Sequence, residues 1–76
     1  MTLVQISDSG NAVASCSLNN VLKCWQVRDN RCFEIFSTKL AMDVKSLHFC
    51  GDAYLVVLGQ RGEGTRKVFV FKMLLR

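Results

Sequence analysis

The side chains best suited to metal or nucleophile chemistry in this 76-residue chain are four cysteines (Cys16, Cys24, Cys32 and Cys50) and one histidine, His48. Zinc sites draw on closely spaced Cys or His pairs. None of these cysteines lies within four residues of another, and one imidazole is left to share. A nucleophilic triad needs a base beside a Ser or Cys, and a single histidine in a β-rich run offers little for that role. The glycine-rich stretch Gly59-Gln60-Arg61-Gly62-Glu63-Gly64 lacks the Lys-Ser/Thr pair of a phosphate loop. No helical pattern follows it to present an N-terminus to phosphate. The six carboxylates are scattered, without the pairing that acid–base work needs. The expectation is a protein that is not an enzyme and needs no cofactor or metal. His48 reads as a structural histidine and the cysteines as small hydrophobes in strands.

The elements that would position any site are short and apolar. Half of the residues are hydrophobic, 21% are charged and proline is absent, a composition for folding and not for disorder. The longest unbroken apolar run, residues 53–58, is far too short to cross a bilayer. No secretory signal pattern and no glycosylation sequon is visible, so the expected setting is intracellular, cytoplasmic or nuclear. The net charge of +4 is a modest surplus that favours an acidic partner more than it argues for nucleic acid.

Helical periodicity is scarce, and β-rich runs alternate with turn residues. Strands are expected over residues 2–6, 12–17, 21–27 and 32–36, then again over 44–49, 54–58 and 67–72. Ser7-Asp8-Ser9-Gly10-Asn11, Asn19-Asn20, Asp29-Asn30 and Gly51-Asp52 supply turn chemistry between them. Residues 59–65 read as a long loop. The pattern repeats: Val4 and Ile6 correspond to Leu47 and Phe49, and Trp25 to Phe71. A period of about 40–45 residues with four short strands per unit is the spacing of propeller blades. Leu55-Val56-Val57-Leu58 and Val68-Phe69-Val70-Phe71 lack polar alternation, which predicts strands covered on both faces.

Residues 6–17, Ile-Ser-Asp-Ser-Gly-Asn-Ala-Val-Ala-Ser-Cys-Ser, resemble the Phe-Ser-Pro-Asp-Gly-Lys-Leu-Leu-Ala-Ser-Gly-Ser stretch of the WD-repeat family without a gap. The likeness continues through Asn19-Asn20 to Val21-Leu22-Lys23-Cys24-Trp25-Gln26, where Trp25 falls on the family's tryptophan and Gln26 replaces its aspartate. No Gly-His dipeptide opens either unit, and Phe71 stands in the tryptophan position of the second. The resemblance implies an all-β fold of two antiparallel four-stranded propeller blades, the second lacking its outer strand, within a larger WD-repeat propeller. It divides the chain into a first blade over residues 1–36, a connection over 37–43 and a degenerate, incomplete blade over 44–76. Trp25 is expected to be a core anchor, because large aromatics mostly serve packing.

Such an architecture implies a non-catalytic protein–protein interaction scaffold, completed by the missing blades of a parent chain. In a meander, successive turns alternate ends, so residues 18–20, 39–43 and 61–67 should converge on one rim. The expected partner-binding residues there are Lys39, Asp43, Arg61, Glu63, Arg66 and Lys67. Two alternatives stand beside this reading. One is a small basic β-barrel that binds nucleic acid through Phe33, Phe36, Phe49, Tyr54 and Phe69. The other is a truncated product without independent activity.

Overall fold

The structure is a computed structural model that describes residues 2–75. The described residues form seven strands and no helix. β1 (Leu3–Ile6), β2 (Ala12–Cys16), β3 (Val21–Arg28) and β4 (Arg31–Lys39) make one antiparallel meander. β5 (Asp43–Cys50), β6 (Tyr54–Arg61) and β7 (Thr65–Lys72) make a second. Neither sheet closes on itself or on the other.

Turn chemistry sets the hairpins. Asp29 and Asn30 both take positive φ (53° and 61°), so Arg28 pairs directly with Arg31 across a two-residue turn. Between β1 and β2, Ser7 does the work of a cap. Its carbonyl accepts from the Gly10 amide at 2.9 Å and its hydroxyl accepts from the Ala12 amide at 3.0 Å. These bonds satisfy backbone amides of a five-residue turn whose flanks, Ser7 and Ala12, are buried.

The sheets pack face to face through one side each. Ala12, Ala14, Cys16, Leu22 and Cys24 of the first sheet meet Leu47, Leu55 and Val57 of the second in a single buried cluster. Side-chain size grows from the inner strands outward. Alanines and cysteines line β2, whereas rings fill the space between the outer strands, with Phe36 and Phe71 centroids 5.6 Å apart and Phe69 and Phe71 6.5 Å apart. The backbones of the two sheets come closest between β1 and β5. The space between them is therefore wedge-shaped, narrow at β1 and β5.

Register exposes a regular relation between the two sheets. In the first, Ile6 pairs with Val13 and Val13 with Trp25; in the second, Phe49 pairs with Leu55 and Leu55 with Phe71. The row Val4–Ser15–Lys23 likewise corresponds to Leu47–Val57–Phe69. In the second sheet these rows face the interface; in the first they face away from it. Equivalent residues thus lie on opposite sides of the contact, and the two units stack head to tail.

Several expectations are corrected. β4 runs on through Ser37 and Thr38 to Lys39, paired with the start of β3 past a bulge at Cys24/Trp25, so the connection shrinks to residues 40–42. The supposed loop over 59–65 is mostly strand: Gly59, Gln60 and Arg61 pair with Lys67, Arg66 and Thr65, leaving Gly62–Gly64 as the turn. Trp25 is half-buried on the outward face of its sheet and stands outside the core cluster. The apolar runs of β6 and β7 are covered on one face only. Leu55 and Val57 are buried, while Val68 and Val70 are each 62% exposed, because the described residues supply no third layer. Cys16 and Cys24 are buried as expected of small hydrophobes, but Cys32 and Cys50 are exposed, as is His48 on β5.

Candidate functional site

Period-two geometry decides which rim residues come together. On β6 and β7, Arg61, Thr65, Lys67 and Phe69 share the face that looks toward the first sheet. Lys39 ends β4, and residues 40–42 cross from one sheet to the other beneath them. The result is a cavity of about 330 Å³ lined by Lys39, Leu40, Ala41, Met42, Arg61, Thr65, Lys67 and Phe69. Its floor is apolar and its edge carries three cations.

The floor depends on a close approach. Gly59 lies within β6, and a Cβ placed there would stand 3.3 Å from Met42 Cβ and 3.5 Å from both Met42 Sδ and a Phe69 ring carbon. Glycine lets Met42 sink to 6% exposure against the sheet. The connection is fixed from the other side by Asn20, at the turn between β2 and β3. Asn20 Nδ2 donates to Asp43 Oδ1 at 3.1 Å, the Val44 amide donates to Asn20 Oδ1 at 3.3 Å, and the Leu40 amide donates to the Asn20 carbonyl at 2.8 Å. Asn20 holds φ at 62°, a conformation that asparagine tolerates better than most residues. One residue thus ties the turn over 18–20 to both ends of the connection, by its backbone carbonyl to Leu40 and by its side chain to Asp43 and Val44.

The six residues singled out from sequence divide on these grounds. Lys39, Arg61 and Lys67 border one basin. Asp43 is engaged with Asn20 and lines a neighbouring hollow of about 340 Å³ with Leu18, Asn20 and Lys45. Arg66 pairs with Gln60 on the opposite face of the sheet, and Glu63 sits in the exposed β6–β7 turn; neither lines the basin. The sequence reading of this rim did not single out Asn20, Gly59 and Met42 as individual positions. Asn20 carries a readable signal, an asparagine in a hairpin turn, whereas the contact of Gly59 with Met42 has none.

Among the described residues no carboxylate forms an ion pair with the basin's cations. The ion pairs among the described residues are Lys23–Glu34 and Arg28–Asp29, each at 3.9 Å, and neither reaches this rim. A larger open hollow of about 530 Å³ lies beside β3 and β4, lined by Arg28, Phe33, Glu34, Ile35 and Leu74. There Arg28 already pairs with Asp29 and rests 5.9 Å over the Phe33 ring, so its charge is engaged. Among the described residues no three His, Cys, Asp or Glu side chains gather as metal ligands would, and no helix is long and apolar enough to cross a membrane. Of the five aromatics that would stack nucleobases, Phe36, Phe49 and Phe69 pack against the core between the sheets, and Phe33 and Tyr54 lie on different sheets. Set against protein-family models, curated proteins and solved structures, the chain finds no match in any of the three.

Proposed function

We propose that the chain contributes two successive blades to a WD-repeat propeller and works as a non-catalytic scaffold, gripping an acidic, partly apolar segment of a partner protein. The observation that carries this reading is the basin. Lys39, Arg61 and Lys67 surround an apolar floor of Leu40, Ala41, Met42 and Phe69, and among the described residues no carboxylate pairs with the three charges. Arginine is suited to a bidentate grip on carboxylate, and the two lysines add point charges. Apolar floor and cationic edge together favour a peptide carrying Asp or Glu next to a Leu or Phe. Loops held on a rigid sheet scaffold are where recognition resides.

The blade assignment draws on the sequence likeness of residues 6–26, on the wedge that narrows at β1 and β5, and on head-to-tail stacking of equivalent rows. Further blades would cover the outward apolar faces. An intracellular location, cytoplasmic or nuclear, suits four unpaired thiols. His48, exposed on the outward face of β5, is remote from the basin and suggests no catalytic role.

The test is calorimetric titration of the chain with synthetic peptides that interleave Glu and Leu. Wild-type protein should bind, and Lys39→Glu, Arg61→Glu and Lys67→Glu should each weaken binding on the order of tenfold at low salt; raising the salt should weaken wild-type binding and narrow its gap to the variants. Charge reversal at Arg31, at the far end of the first sheet, serves as the control. Equal affinity in basin and control variants would remove the proposal.

A further inference from the structure

Each sheet turns one apolar face inward and leaves another uncovered. On the first sheet the outward face carries Val4, Ile6, Val13, Trp25 and Val27, with Ile6 61% exposed. On the second it carries Val56, Leu58, Val68 and Val70, flanked by Tyr54. The solvent-accessible surface of 5140 Å² exceeds the roughly 4,700 Å² expected of a folded monomer of this mass. Exposed apolar area of this kind marks an interaction site.

What fits these faces can be read from the contact the chain already makes. The outward rows of the first sheet, Val4–Ser15–Lys23 and Ile6–Val13–Trp25, are equivalent to rows that the second sheet buries at the interface. The outward rows of the second sheet, Ser46–Leu58–Val68 and His48–Val56–Val70, are equivalent to Leu3–Cys16–Leu22 and Gln5–Ala14–Cys24. Leu3, Ala14, Cys16, Leu22 and Cys24 are the first sheet's share of that same interface. Each free face is thus the counterpart of one partner in an existing contact, and the two free faces complement each other rather than themselves. A contact between unlike faces is heterologous, and its repetition closes a ring or extends a filament.

We infer that the occupant of each free face is a second copy of this chain, docked so that β5–β7 of one copy lies on β1–β4 of the next. Taking the internal contact as template, β5 of one copy sits beside β1 of its neighbour, and the Trp25 ring, equivalent to Phe71, rests near Val70. Two to four copies would provide the roughly four to eight sheets with which propellers close. This deepens the blade reading by assigning the missing blades to copies of the chain, and rests on that reading for the ring alone.

Sedimentation velocity over a range of concentrations tests the inference, using variants that charge one face each. Ile6→Glu spoils the first sheet's face and Val70→Glu the second's. Both positions are more than half exposed, and Val4→Glu with Val68→Glu form an independent second pair on the same faces. The wild-type chain should assemble into a complex of two or more copies, while each variant alone should sediment as a monomer, with assembly weakened on the order of tenfold or more. An equimolar mixture of Ile6→Glu and Val70→Glu should restore a one-to-one dimer, because each retains the face its partner lacks. Wild-type protein that stays monomeric overturns self-assembly and leaves the rim basin, read by peptide titration of the monomer, standing. Assembly that survives either single substitution, or a mixture that yields no dimer, overturns the head-to-tail pairing between copies and leaves the blade reading, whose covering layers need not be copies of this chain, standing.

Discussion

The Ser9 hydroxyl donates a hydrogen bond of 2.5 Å to Asp52 Oδ2, joining the β1–β2 turn to the β5–β6 turn at positions 43 residues apart. This offset is the one that relates Val4 to Leu47 and Ile6 to Phe49, so equivalent turns of the two units touch. The Ser9 hydroxyl is the main cause that holds the Asp52 carboxyl below its ordinary value of 3.8, and Ser7 adds to it, although Oδ1 completes no hydrogen bond of good geometry. A carboxyl depressed in the folded state contributes stability above its unfolded value and loses it as pH falls. Asp52→Asn should therefore lower the Tm at neutral pH, and the gap to wild type should close as pH drops below 3.8. A gap that stays constant through the acid range would contradict this role.

Asn20 offers a test that separates backbone from side chain. Asn20→Ala removes the bonds to Asp43 and Val44 and forces a β-carbon into positive φ, and should cost about 2 kcal/mol in urea denaturation. Asn20→Gly keeps the conformation free and should cost roughly 1 kcal/mol less than the alanine variant. Both should loosen residues 40–42 and weaken peptide binding without removing a basin charge.

Gly59 makes a prediction about packing. Gly59→Val places methyl groups where Met42 and Phe69 already stand, and should destabilise by about 1–3 kcal/mol. Met42→Ala in that background should recover part of the loss, a coupling readable in a double-mutant cycle. If Gly59→Val matches the wild type, the close approach of connection and strand is wrong.

Thiol chemistry reports the two classes of cysteine. Cys32 and Cys50 are exposed and should take up an alkylating reagent in the native protein. Cys16 and Cys24 are buried, and burial raises the Cys16 thiol and pushes Cys24 up to about 12, so both should react only on unfolding. Mass spectrometry should find two adducts under native conditions and four in denaturant.

Strand positions were legible where apolar runs met turn residues, as at Asp29-Asn30, because those residues accept positive φ at little cost. Residues 59–65 misled for the reason that glycine usually marks a loop, whereas Gly59 is a strand residue kept small by Met42. The outward placement of Trp25 was hidden, since a continuous apolar pattern says that a face is suited to burial and not whether the covering layer belongs to the same chain. The rim followed from alternation of turns along a meander, which brought Lys39, Arg61 and Lys67 within reach of one another. Arg66 was grouped with them although adjacent strand residues point to opposite faces, a distinction that the alternation rule already contained.

Stacking, basin and self-assembly all follow from which faces of the two sheets meet. Nuclear Overhauser contacts between assigned side chains in solution test this most directly. Cross-peaks between the rings of Phe36 and Phe71 are predicted, with none from the Trp25 indole to Leu47 or Val57. Trp25 contacts to Leu47 and Val57, with Phe36 and Phe71 silent toward each other, would mean that the sheets pack through the opposite face, and the stacking, the basin and the self-assembly would fall together.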